Sequence, residues 1–274
     1  MPDIIFTLFC LILGSLAGFT GGLLGIGGGV IIVPGLILLF THQNQPEMSG
    51  TSIVLTAVAS SLGTIIFTSA SAAYAQIRAG YVVWPVIKKW TLFLIIGSLF
   101  SSQIASGMSE LVLKLCIGTF LLMVSFVMLS RWSPGAHHTL PDWPTASVLA
   151  TSAGLVSGIA GIGGGNVVVP TLIFFNVPPH RATATASTLG FPIAIAGTLG
   201  YVLSGWEINQ AEPGMLGYVY LPAMLIIATA SFLTAPLGVR VAHKVKQDNL
   251  RRYFGILLIV VSIRMLYTAM NPVV

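Results

Sequence analysis

The sequence predicts an all-α integral membrane protein of two inverted-topology repeats, each with a broken or re-entrant helical hairpin plus three transmembrane helices. Three observations carry this. The chain of 274 residues is 55% hydrophobic and 7% charged, with a mean hydropathy of +0.94, whereas a soluble domain carries about 25% charged residues. Its two halves repeat one another. Its basic residues fall in alternate loops.

The first apolar segment, 4–40, holds no charge. One crossing of ~30 Å needs ~20 residues, so this segment is too long for one span and slightly short for two with a turn. At its middle lies "GLLGIGGGVIIVP", Gly22 to Pro34. Segments 51–75, 82–107 and 111–130 follow, each of single-span length. The second half opens with another over-long segment, 145–176, which carries "GIAGIGGGNVVVP" from Gly158 to Pro170. Segments 183–205, 217–241 and 253–271 complete it. The expected organisation is a first membrane repeat over 1–131, a cytoplasmic linker over 132–144 and a second repeat over 145–274.

The match between halves is residue by residue. Gly18, Gly22, Gly25, Gly27, Gly28, Gly29 and Pro34 correspond to Gly154, Gly158, Gly161, Gly163, Gly164, Gly165 and Pro170, all 136 residues on. "GYVVWP" at Gly80 and "GYVYLP" at Gly217 match at 137. Such doubling is a sign of a repeat architecture.

Loop charge sets the orientation, because Lys and Arg collect on the cytoplasmic side. "VAHKVKQDNLRR", Val241 to Arg252, holds Lys244, Lys246, Arg251 and Arg252. Placing it inside puts Arg78, Lys88, Lys89, Arg131 and Arg181 inside too, and the loops holding Glu47, Glu207 and Glu212 outside. The halves are then inverted, both termini lie outside, and each over-long segment starts and ends on one face. The sequence leaves open whether each is two short crossings or a re-entrant loop.

Glycine inside a helix costs roughly 1 kcal/mol relative to alanine. Two readings explain six of them in Gly27, Gly28, Gly29, Gly163, Gly164 and Gly165. They permit a sharp bend, or they permit close helix packing. Gly18, Gly22, Gly154 and Gly158 fit packing, and Gly18→Ala is expected to be mild. A bend leaves free N–H groups at the start of a half-helix, which suits an anion. Broken helices in inverted repeats form the midplane sites of many secondary transporters. No Asp or Glu lies deep in a span, which also favours an anion over a cation. Asn166, opposite Val30 in the repeat, can donate to an oxyanion or cap the half-helix. Thr51 and Ser52 correspond to Ser187 and Thr188; these hydroxyls open helices as caps or contribute to the site. Arg264 in the last segment either snorkels to the outer surface or marks a site.

Enzyme chemistry finds no footing. "GIGGGV" lacks a βαβ context, no Walker A sequence is present, and Cys10, Cys116 and the five histidines show no metal-ligand spacing. No cofactor, metal or nucleic acid is expected. The expected partners are a small anionic substrate, the lipid bilayer and, as an option left open, a coupling ion, H+ or Na+. A passive channel is the alternative to a transporter, and a ligand-binding receptor is a third class.

The doubled "G-x-x-x-G-x-x-G-I-G-G-G-x-x-x-V-P", the "GTS" at Gly50 and the paired "GYV…P" resemble the TauE/SafE family of membrane permeases. The resemblance covers nearly the whole chain. It implies secondary transport of sulfur-containing anions such as sulfite, sulfoacetate or other organosulfonates in the bacterial inner membrane. The second copy departs at Ala186-Ser187-Thr188, where the first has Gly50-Thr51-Ser52.

The topology is testable by single-cysteine labelling in intact cells, on a background without Cys10 and Cys116. Glu47→Cys and Glu212→Cys should label from outside, and Gly135→Cys and His243→Cys only after lysis. Labelling of Glu212→Cys only after lysis refutes the inverted arrangement.

Overall fold

The computed structural model describes residues 4–25, 27–43, 53–130, 141–207, 213–242 and 247–270. The first half contributes α1 (Ile4–Leu24), α2 (Gly29–Gln43), α3 (Ile53–Arg78), α4 (Trp84–Ser106) and α5 (Glu110–Leu129). The second contributes α6 (Trp143–Ile159), α7 (Gly165–Phe174), α8 (Pro179–Gly205), α9 (Leu221–Ala242) and α10 (Gln247–Met270). A two-stranded hairpin, β1 (Met215–Leu216) and β2 (Val219–Tyr220), precedes α9. Among the described residues, five helices, α1, α3, α5, α8 and α9, are long and apolar enough to cross a membrane.

Both over-long segments are helix–bend–helix pairs, α1–α2 and α6–α7. The 10 residues of α7 span only ~15 Å, half a bilayer core. The breaks have a local cause. Gly28 and Gly164 sit in the left-handed region at φ +76° and +78°, where a β-carbon costs about 1–2 kcal/mol. Pro34 and Pro170 lie one turn into α2 and α7. Each lacks the N–H that would bond the carbonyl four residues back, so the carbonyls of Val30 and Asn166 lose their helical partner.

The halves pack through each other. α1 runs parallel along α9, and α6 parallel along α4; α3 crosses α8 and α5 crosses α10 antiparallel. Equivalent contacts occur twice. Gly18 lies on Ser231 of α9 as Gly154 lies on Leu94 of α4, and Leu94 and Ser231 are 137 residues apart. Gly118 faces Leu266 as Gly255 faces Leu129, again 137 apart. The largest apolar cluster accordingly mixes both halves, joining Val58, Leu62 and Ile65 to Ile162, Ala194 and Tyr201. The two "GYV" motifs tie across as well. Val83 N–H donates to Thr185 Oγ1 at 3.0 Å on α8, and Tyr220 N–H donates to Ser60 Oγ at 2.9 Å on α3.

These contacts correct one expectation. Gly18→Ala is not mild, because its methyl would fall on the Ser231 carbonyl oxygen and the Thr234 hydroxyl. The spacing pointed to close packing, but the closeness belongs to the partner helix, which a repeat pattern does not reveal. Overpacking of this kind costs about 1–3 kcal/mol, more than the ~1 kcal/mol of helix propensity that alanine returns.

Thermal unfolding in detergent should therefore rank Gly18→Ala below the wild type and below Gly80→Ala. Gly80 has φ +77° but open space around it, so it carries backbone strain alone. A Gly18→Ala protein melting at or above wild type would mean that α1 and α9 are not in backbone contact.

Candidate transport site at the crossing of the bends

The two glycine bends meet each other inside the bundle. A methyl on Gly27 would lie 3.3 Å from the Gly163 Cα, and one on Gly163 3.5 Å from the Gly27 Cα. A methyl on Gly29 would fall on the Gly161 carbonyl oxygen and lie 2.9 Å from the Ile162 Cα. Backbone thus faces backbone; a side chain at Gly29 would strike the Gly161 carbonyl, and Gly27 takes its place against Gly163 with φ at +74°.

Breaking a helix frees N–H and C=O groups, and membrane depth offers no water to satisfy them. The second bend answers this with neighbours. Ser61 Oγ donates to the Gly161 carbonyl at 2.8 Å, and the Tyr201 hydroxyl donates to the Gly158 carbonyl at 3.2 Å. Gly164 N–H donates to the Ile162 carbonyl at 2.8 Å. Ser61 and Tyr201 were not singled out by the sequence. Their roles depend on which face of α3 and α8 meets the bend.

Beside the crossing lies a narrow cleft between Gly27 and Gly163 on one side and Thr68, Ser69, Ala72 and Ser187 on the other. It is closed, with no room for a water molecule. Thr68 and Ser69 have committed hydroxyls, donating to Ser231 Oγ at 2.7 Å and to the Ile65 carbonyl at 2.5 Å. Ser187 does not: it is 4% exposed and its hydroxyl has no partner.

A larger cavity of about 730 Å³ lies among α5, α6 and α7, the end of α1 and Thr183 of α8. Its walls are mostly apolar, with Gly165, Asn166, Thr171 and Thr183 among the lining. Asn166 is 5% exposed, and neither its Oδ1 nor its Nδ2 has a partner. A bare buried amide is costly, so such a group calls for a partner. Gly25 packs against a residue of each space; a methyl there would lie 2.6 Å from Thr183 and 3.0 Å from the Ser187 hydroxyl.

The structure therefore gathers Gly27, Gly163 and Ser187 in the cleft, with Gly165 and Asn166 on the neighbouring cavity. Gly28, Gly29 and Gly164 make the turns and helix starts. Thr188 is half-buried and donates to the Ala184 carbonyl of its own helix at 3.0 Å. Thr51 and Ser52 lie outside the described residues. Arg264 is exposed on α10. Among the described residues no charged side chain is buried, and no group of His, Cys, Asp and Glu has the arrangement of a metal site. α2 and α7 start at the crossing, each N-terminus worth about half a positive elementary charge, and α1 and α6 end there with carbonyls of the opposite sign.

Comparison with known proteins places this architecture. The sequence profile described as "Sulfite exporter TauE/SafE" matches residues 10–265. A "Probable membrane transporter protein" of Haemophilus influenzae is 32% identical over 265 residues, covering 95% of this chain and 98% of its own. The "Probable membrane transporter protein YunE" of Bacillus subtilis is 29% identical, with 93% and 96% covered. A probable membrane transporter protein of Methanocaldococcus jannaschii is 26% identical, with 93% and 94% covered. No solved structure matches significantly. These relatives, together with the apolar helices, indicate a multi-pass membrane transporter rather than an enzyme. A profile match that runs through both glycine bends and nearly the whole chain makes this protein a member of the TauE/SafE family.

Proposed function

We propose that this chain carries small sulfur-containing anions, such as sulfite, sulfoacetate or other organosulfonates, across the bacterial inner membrane by alternating access. The site is the crossing of the two bends. One observation carries the reading: the bends touch, and Asn166 and Ser187 stand beside them buried and unpartnered where no buried side chain among the described residues is charged. N–H groups at the starts of α2 and α7 supply the positive potential, and Asn166 and Ser187 supply donors.

The inverted repeat is part of the proposal. Equivalent helices run antiparallel across α3–α8 and α5–α10, as a two-fold axis in the membrane plane requires. With the halves inverted, hairpin tips at opposite membrane faces would lie ~30 Å apart; touching tips favour re-entrant hairpins over two short crossings. A coupling sodium ion suits the site better than a proton. The carbonyl freed by Pro170 and the Asn166 Oδ1 are oxygen ligands, as unwound segments provide in other transporters, and no carboxylate is buried among the described residues to carry a proton.

Purified protein should be stabilised by at least one of sulfite, sulfoacetate, thiosulfate or taurine in a thermal-shift panel, and should take that compound up saturably in proteoliposomes. Flux without saturation favours the channel alternative.

Titration calorimetry on Asn166 variants tests the site. Asn166→Asp sets a carboxylate about 4 Å from the anion, costing about 4 kcal/mol at an effective dielectric of ~20, roughly a thousandfold in affinity. Asn166→Ala should cost about 1 kcal/mol for one lost hydrogen bond, and Arg264→Ala nothing. Tight binding by Asn166→Asp, or binding lost in a folded Arg264→Ala protein, moves the site to the last helix.

Gly28→Leu should abolish uptake, since its β-carbon would sit 2.5 Å from the Ala17 carbonyl oxygen at φ +76°. Normal uptake by that variant removes the bend from the site.

A further inference from the structure

The cavity beside the second bend, at about 730 Å³, is far larger than a bare oxyanion needs. Small-molecule pockets are typically about 300–1,000 Å³, with apolar walls and a few placed polar groups. This one has that make-up. Phe120, Met123 and Val127 line it from α5, Val156 from α6, and Val167 and Phe174 from α7. Met123 is exposed and the other five are half-buried.

Its polar spot is Asn166. The repeat sets Asn166 at the position of Val30, 136 residues earlier. Val30 is 1% exposed and packs into the largest apolar cluster, so packing at this turn is satisfied by an apolar side chain. At the second bend an amide stands there instead. It borders the cavity, 5% exposed and with Nδ2 and Oδ1 both bare. A bare buried amide is costly, so packing does not account for it. The hydroxyl of Thr171 on the same wall is committed, donating to the Val167 carbonyl at 2.6 Å. The N–H groups of Gly165 and Asn166 open α7 and have no intrahelical partner. The donors open to a ligand thus belong to two adjacent residues of an otherwise apolar wall.

That pattern selects among occupants. Sulfite would pair with the amide and leave most of the cavity empty. A lipid acyl chain would fill the cavity and leave the amide bare. A ligand with an anionic head and an apolar body does both.

We propose that the cavity is the pocket for the organic part of the substrate, which is an organosulfonate with an apolar alkyl or aryl body. Its head accepts from Asn166 Nδ2 and the N–H groups opening α7, and its body lies against the α5 wall. This rests on the anion-transport reading above and narrows it. The Asn166 Oδ1 keeps the cation-ligand role given it there.

The test is titration calorimetry of the protein in lipid nanodiscs, with empty nanodiscs as the blank. The probes are methanesulfonate, butanesulfonate, hexanesulfonate and the neutral 1-hexanol. A fully buried methylene is worth roughly fourfold in affinity, so hexanesulfonate should bind at least tenfold more tightly than methanesulfonate. A smaller gain overturns the proposal. Val127→Trp, which fills the cavity from α5, should weaken hexanesulfonate at least tenfold and methanesulfonate clearly less; equal losses, or none, overturn it. If that protein does not fold, Met123→Trp, at the exposed edge of the same wall, decides by the same comparison. Hexanesulfonate should outbind 1-hexanol, and Asn166→Leu should abolish that difference. 1-Hexanol binding as tightly to the wild type makes the cavity a lipid site, and a difference that survives Asn166→Leu places the head elsewhere; either overturns the proposal. Methanesulfonate binding without a gain for the longer chains removes this inference alone. Binding of none of the sulfonates removes the anion reading as well.

Discussion

Everything in this structure depends on one constraint: a helix broken inside a buried apolar bundle frees backbone polar groups that water cannot reach. The chain breaks two helices and sets the two breaks against each other. That choice dictates the glycines, because only bare backbone permits Gly29 on the Gly161 carbonyl, and the chain at Gly27 turns left-handed at φ +74° against Gly163. It also dictates the hydroxyls around them, because Ser61 and Tyr201 answer carbonyls at the second bend. α3 and α8 must cross beside the bends to deliver those hydroxyls, and both carry polar residues in their buried middles, among them Ser60, Ser61 and Thr64 on α3.

The same constraint explains how the rest is held. Lipid gives helices no hydrophobic reason to associate, so close packing and buried hydrogen bonds take that role. α1 and α6 present glycines to α9 and α4, and the backbones approach until carbonyls lie against glycine α-carbons. Interhelical hydroxyl bonds such as Thr68 to Ser231 and Ser125 to the Gly255 carbonyl, at 2.7 and 2.6 Å, lock the crossings. Each half therefore completes its packing with helices of the other.

Much of this architecture was legible in the sequence because it rests on backbone conformation. The helix–bend–helix form of the over-long segments followed from length, and the bends from glycine triplets that only a left-handed turn or a close approach explains. Asn166 stood out by breaking the repeat. What escaped notice depends on helix register across the bundle. Ser61, Ser69 and Tyr201 are polar residues in the middles of long helices, and nothing local separates them from residues such as Thr91, which bonds only its own helix. Gly18 was misjudged for a related reason: a small-residue repeat tells that something packs closely, but not that it is the Ser231 carbonyl. Thr188 stood beside Ser187 in the sequence, yet one residue of helical rotation turns it to its own Ala184 carbonyl and leaves Ser187 in the cleft.

The electrostatics of the crossing bear on what such a site holds well. Taking an ion out of water into a dry interior is expensive unless fixed charges or dipoles replace its hydration. Two half-helix starts carry together about one positive charge, but α1 and α6 end at the same bends with carbonyls of the opposite sign, and no buried side chain among the described residues adds a charge. At the second bend the Ser61 and Tyr201 hydroxyls answer two of those carbonyls, which leaves the free N–H groups and the neutral donors of Asn166 and Ser187 as the contacts open to an anion. On the anion reading, such a site works by hydrogen bonds aimed at the ligand and not by net charge, through the geometry of two broken helices alone.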